Sequence, residues 1–187
     1  MHIVYGGSFN PPTKAHLEIY KTLKRKLPVS QFTFLPVGKA YQKETLQYAT
    51  HRYNMLSVMT ESHDDIYVSD IELNDQTFKG TYVSLNRLNR HNEAMAFIIG
   101  ADNLMGLHRW KNIHKMISQF KCIVLNRHQK DLSRFIKTHP ELSYLKDQFI
   151  IIEDFNQTYS SSAFRETRNE SLLTPSVIKY IKQHNLY

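Results

Sequence analysis

The sequence predicts a doubly wound α/β fold, a single mostly parallel sheet with helices on both faces. Three observations lead there. Six short apolar, β-rich runs recur along the 187 residues, helical patterns stand between several of them, and polar segments with small residues follow three of the runs directly. Parallel neighbours need crossover connections, so strands alternating with helices imply a parallel sheet covered on both sides. A chain of this length with 41% hydrophobic residues can bury a substantial core without disulfides, so residues 1–187 are expected to form one domain.

In chain order the expected strands are His2–Tyr5, Gln31–Val37, Ile66–Leu73, Ala94–Gly100, Phe120–Asn126 and Gln148–Phe155. The first breaks at Gly6 and Gly7, and Pro11–Pro12 fix the approach to a helix over Thr13–Leu27, with Thr13 as N-cap and Ile19, Leu23 and Leu27 on its apolar face. Further helical patterns run over Thr50–His63, Thr81–His91 and Trp110–Ser118. A closing helix begins with Thr174 as N-cap and Pro175 at its first position, and Val177, Ile178 and Ile181 form its apolar stripe.

Composition narrows the function classes. The formal net charge is +7, a balance that fits nucleic acid, an anionic membrane surface or a polyphosphate ligand. The densest basic cluster, Lys21, Lys24, Arg25 and Lys26, reads as a solvated helix face, and no basic-aromatic RNA module is present, so no specific nucleic-acid partner is expected. No run approaches the ~20 apolar residues of a membrane span, and the start of the chain lacks a basic region and cleavage site, so a cytoplasmic protein is expected. Cys122 is the only cysteine; in FKCIVL it reads as a buried thiol, which excludes disulfides and CxxC metal sites. His108 with His114, and His51 with His63, match no zinc spacing, and neither Asp64–Asp65 nor Glu153–Asp154 makes a persuasive acid pair. No protein metal site is expected, and a homo-oligomer is left open.

In such folds ligands bind beyond the carboxyl ends of strands, which directs attention to GGSFNPPTKAH, PVGKAYQK and GADNLMGLHRW. In the first, glycines let backbone approach a ligand closely, and the start of the helix gathers N–H groups and the positive end of its dipole. His16, in that first turn, is disfavoured as an imidazolium and reads as a neutral hydrogen-bond donor. Near the end of the chain, YSSSAFRETR offers hydroxyls followed by Arg165, whose guanidinium can fork onto phosphate oxygens. Taken singly, each segment also fits a structural turn or a capped short helix.

These segments carry a family resemblance. GGSFNPPTKAH resembles the (H/T)xGH signature of nucleotidyltransferases related to class I aminoacyl-tRNA synthetases, with Thr13 first, His16 last and Ala15 in place of Gly; SSSAFR is similar to their ISSTxxR element. FIIGADNLMGLHRW resembles the GADxLxxLxxW stretch of bacterial nicotinate mononucleotide adenylyltransferases. VSDIELNDQTFKGTYVSL is similar to their DxE...(S/T)Y(S/T)xDT region, with Val83 where Asp is usual, and VIKYIKQHNLY resembles their closing helix. PVGKAYQK departs from their PxGxPPHK: Lys43 is kept, but Ala40, Tyr41 and Gln42 replace Pro, Pro and His, so an imidazolium there would have to be replaced by another cation, such as Lys39 or Arg52.

The resemblance implies a Rossmann-like nucleotidyltransferase fold and transfer of AMP from ATP to nicotinate mononucleotide, with Mg2+ travelling on the ATP. It implies catalytic roles for His16, Thr13, Lys43 and Arg165; ATP contacts for Gly7, Ser8, Phe9, His16, Gly100, Asp102, Ser161, Ser162 and Arg165; and pyridine-nucleotide contacts for Thr81, Trp110 and Lys111, with Arg109 beside them. Alternatives are another phosphorylated acceptor, nicotinamide mononucleotide or phosphopantetheine, and a non-catalytic nucleotide- or nucleic-acid-binding relative.

Overall fold

The computed structural model describes residues 1–40, 46–126, 131–153, 155 and 160–187. Six strands, β1 (His2–Gly7), β2 (Gln31–Pro36), β3 (Ile66–Val68), β4 (Met95–Gly100), β5 (Lys121–Leu125) and β6 (Phe149–Ile152), form one sheet in the order β3-β2-β1-β4-β5-β6. The recorded pairings, β1 with β4, β2 with β3, β4 with β5 and β5 with β6, are parallel. The order places β2 and β3 on one side of β1 and β4 to β6 on the other, the doubly wound arrangement expected from the alternation of elements.

The chain divides into two compact units. The first comprises Met1–Tyr5 and Lys79–Asn156. It contains α3 (Thr81–Leu88), α4 (Ala101–Met105), α5 (Ile113–Gln119) and α6 (Leu132–Thr138) with β4, β5 and β6. The central strands read as near-continuous apolar runs because parallel strands are covered on both faces: Ala96, Ile98, Ile99, Cys122, Ile123, Val124 and Leu125 are buried, and α5 adds Ile113, Met116 and Ile117. Burial pushes the Cys122 thiol up to about 12.

The second unit comprises Gly6–Phe78 and Gln157–Tyr187. It contains α1 (Lys14–Lys26), α2 (Ala49–Thr60), α7 (Ser161–Thr167) and α8 (Pro175–Gln183) with β2 and β3. Helix α1 buries Ala15, Leu17, Ile19, Tyr20 and Leu23, and the Tyr20 ring meets Phe32 edge-on with centroids 5.4 Å apart. Part of the basic cluster is paired: Lys24 Nζ lies 2.7 Å from Asp65 Oδ2, and Tyr20 donates to the other carboxylate oxygen at 2.7 Å. Helix α8 starts at Pro175 with the Thr174 hydroxyl accepting from Val177 N–H.

Boundaries differ from the expectation where turn chemistry overrides apolar content. The run Ile66–Leu73 is strand only to Val68; Leu73 N–H then bonds Asp70 O and Asp75 N–H bonds Glu72 O, so the backbone is spent on turns. The helix expected from Trp110 starts at Ile113, because Trp110 closes a 3-10 turn over Leu107–Arg109 and Asn112 is left-handed at φ 60°. Strand β6 stops at Ile152, helices α2 and α3 stop three residues before their expected ends, and α4 and α6 were not anticipated.

Candidate active site

Strand β1 continues through Gly6 and Gly7, two residues past its expected end at Tyr5, and the chain then enters the loop that leads to α1. A Cβ on Gly7 would stand 3.1 Å from the Phe9 ring, and Phe9 takes a positive φ of 46°. The Phe9 side chain is only 2% exposed and meets His16 edge-on at 5.1 Å and Phe34 at 5.4 Å. Its side chain therefore packs against the imidazole ring inside the fold and is not itself presented to a ligand. Ala15 is also buried, so the methyl that replaces glycine packs inward.

Thr13 is the N-cap of α1, and its backbone N–H donates to Nδ1 of His16 at 2.8 Å. This is the geometry of a capping box, with imidazole in the place usually held by Glu or Gln. A backbone N–H can only donate, so Nδ1 must accept; the ring is neutral and its proton sits on Nε2. The Thr13 hydroxyl, 3.0 Å from Nδ1, then donates to the same nitrogen. Thr13 is fully buried, so it acts on any ligand through His16.

Helix α7 comes to the same loop from far along the chain. Its N-cap Ser160 accepts from Ala163 N–H, Ser161 Oγ donates to Pro11 O at 2.8 Å, and Arg165 Nη1 donates to Asn10 O at 2.7 Å. The other arm of Arg165 reaches Ser162 Oγ at 3.1 Å. The segment Asn10–His16 is thus the meeting point of His16, Ser161 and Arg165. Lys43, expected to join them, lies outside the described residues, as does Gln42.

Three residues that sequence reasoning assigned no place in this loop's framework complete it. Asn10 is 3% exposed, and its Oδ1 accepts from Tyr187 Oη at 2.7 Å and from Gln47 N–H at 3.2 Å. Arg52, at 1% exposure, donates to three backbone carbonyls: Ser8 O at 2.8 Å, Val37 O at 2.5 Å and Gln47 O at 3.0 Å. Only the asparagine beside the paired prolines gave a local signal; Arg52 and Tyr187 are recruited across the fold. Gly38 is sterically required here, since a Cβ would fall 1.8 Å from the carbonyl oxygen of Glu72.

The first unit holds the remaining candidates. Gly100 ends β4 and caps α4, and a Cβ there would meet nothing within 4 Å, which leaves room for a ligand. Asp102 is exposed in the first turn of α4. Trp110 is half-buried, its ring edge-on to Phe97 at 6.2 Å. Thr81 starts α3 just after Gly80, whose φ is 96° and whose Cβ position lies 3.6 Å from Lys111 Cβ. Thr81, Trp110 and Lys111 are therefore brought to one neighbourhood, and Arg109 folds its guanidinium over Gly106, where a Cβ would come within 2.8 Å of Nη2.

Comparison with known proteins fits this arrangement. The cytidylyltransferase-like family model matches residues 4–167. Over its full length the chain is 33% identical to a "Probable nicotinate-nucleotide adenylyltransferase" of Acholeplasma laidlawii, covering 97% of that protein. The chain belongs to the nicotinate-nucleotide adenylyltransferase family. A second member of that name, from Clostridium tetani, is 31% identical over 98% of the chain and 97% of its own length. The fold is shared with the Plasmodium falciparum nicotinic acid mononucleotide adenylyltransferase complexed with NaAD, at a TM-score of 0.75 and 21% identity, covering all of this chain and 96% of that one. Imidazole, serine hydroxyl and guanidinium on one loop are the kinds of group that suit phosphate oxygens.

Proposed function

We propose that this chain, as one nucleotidyltransferase domain, transfers AMP from ATP to nicotinate mononucleotide, giving nicotinate adenine dinucleotide and pyrophosphate. A phosphate oxygen of the mononucleotide attacks the α-phosphorus of ATP in line; the new O–P bond forms as the bond to the β-phosphate oxygen breaks, and pyrophosphate leaves. No protein nucleophile takes part. The chain's task is to hold two anions together and to offset the charge that builds on the α-phosphate and the leaving group. The observation that carries the reading is the convergence of Ser161 and Arg165 on the Asn10–His16 segment.

His16 donates from Nε2 to the α-phosphate, Thr13 fixes the ring through Nδ1, and Ser161, Ser162 and Arg165 take the β- and γ-phosphates with Lys43. Gly7, Ser8 and Phe9 offer backbone close to the phosphates, while Gly100 and Asp102 contact the nucleotide. The phosphate loop, Asn10–His16 with Ser161, Ser162 and Arg165, carries cations and hydrogen-bond donors but no carboxylate to anchor a divalent ion; Mg2+ therefore enters on the phosphate oxygens of ATP. Trp110 stacks on the pyridine ring, Thr81 adds a polar contact, and Lys111 favours the carboxylate of nicotinate.

The test is dinucleotide formation from ATP and magnesium with nicotinate mononucleotide, nicotinamide mononucleotide or phosphopantetheine at equal concentration. Nicotinate should be preferred over the amide by roughly ten- to hundredfold, the worth of one charge-assisted contact. Turnover of another acceptor alone would reassign the substrate, and none at all would make the chain a non-catalytic relative.

A further inference from the structure

Arg52 is an expensive residue to keep. It is 1% exposed, and among the described residues no carboxylate pairs with it; burial holds its guanidinium down to about 10, still a cation at neutral pH. A buried charge of this kind costs stability unless hydrogen bonds compensate, and an apolar side chain of similar volume would pack at lower cost. What it does instead is geometric. Nε, Nη1 and Nη2 each take one carbonyl, from Gln47, Ser8 and Val37, three segments brought together by one planar group. Gln47 is gripped twice, its N–H by Asn10 and its carbonyl by Arg52. Asn10 in turn anchors Arg165 through its own carbonyl.

We infer that Arg52 is a positioning residue for the phosphate site, fixing Ser8 of the His16 loop against Val37 and Gln47, with its buried charge adding positive potential behind that loop. The charge is effective because it sits in a low-dielectric interior where, among the described residues, no carboxylate cancels it. A lysine keeps the charge and three N–H donors but radiates them from one atom, so it does not reproduce the planar spread by which three separate nitrogens each meet a carbonyl.

This inference rests on the nucleotidyl-transfer reading, and the experiment separates the two. Wild type, Arg52→Lys, Arg52→Met and Leu56→Ala are compared by ATP affinity in calorimetry, by KM and kcat, and by thermal melting, all well below each variant's melting point. Leu56 is fully buried on the same helix, so its truncation reports destabilisation alone. Arg52→Met should weaken ATP binding at least tenfold and raise KM for ATP alongside. Arg52→Lys should fall between it and wild type, with Leu56→Ala at the wild-type affinity. Should Arg52→Met not fold, Arg52→Lys carries the comparison. Arg52 variants that bind ATP as wild type does, or as weakly as Leu56→Ala, overturn the positioning role. A wild type that binds ATP but turns over no acceptor overturns the functional reading and leaves the affinity comparison to decide Arg52.

Discussion

Replacing His16 tests the loop's two jobs separately, because the ring serves the helix through one nitrogen and, in the proposed reaction, the substrate through the other. His16→Ala removes both. The Thr13 N–H, 2.8 Å from Nδ1 on a residue with no exposure, loses its acceptor, which should cost about 1–2 kcal/mol, and for a chain of this size each kcal/mol lowers the melting temperature by about 2–4 °C. A fall of about 2–8 °C follows. Loss of the Nε2 donor should lower kcat by about 10²–10³, the usual cost of one preorganised donor to a developing charge. His16→Gln distinguishes the two effects. Glutamine is a natural capping-box residue at this position, and its amide oxygen can accept the Thr13 N–H, so the melting temperature should stay near wild type while kcat falls as in the alanine variant. Differential scanning fluorimetry and a pyrophosphate-release assay provide the readouts. A glutamine variant with wild-type kcat would remove the imidazole from the reaction, and an alanine variant that melts like wild type would remove the cap.

The two strand-end glycines should behave in opposite ways. Gly38→Ala drives a methyl into the Glu72 carbonyl and should lower stability by about 1–3 kcal/mol or more, seen as an early melt. Gly100→Ala meets nothing within 4 Å at an ordinary φ of −78°, so the melt should be unchanged while KM for ATP rises if nucleotide occupies that space. The Cys122 thiol, pushed up by burial, should resist iodoacetamide at pH 8 and react only after denaturation, as mass spectrometry would record. Burial lowers the pKa of His2 below 6.5, so between those two values the unfolded state binds the extra proton and stability falls as pH drops below 6.5. Melting at pH 7.5 and 5.5 should show a larger loss for wild type than for His2→Phe, and equal losses would contradict the burial argument.

The legible part of this protein is what short-range chemistry writes. Alternating apolar runs set the parallel sheet, Thr174 and Pro175 announced α8, and Thr13 with His16 announced both the start of α1 and a neutral imidazole. Apolar content misled at Ile66–Leu73 and Trp110–Asn112, where hydrogen-bonded turns and a left-handed residue end or delay the element. Those competing local bonds have no periodicity to betray them.

The residues alone also supplied the candidate phosphate donors, because a hydroxyl, an imidazole or a guanidinium carries its donors wherever it is placed. Which of them meet was a matter for tertiary packing. Arg165 reaches Asn10 across 155 positions and Tyr187 reaches it across 177, contacts that no local window encodes. The burial of Arg52 against three carbonyls was decided by the same packing, since Ser8 and Val37 reach it across 44 and 15 positions of the chain.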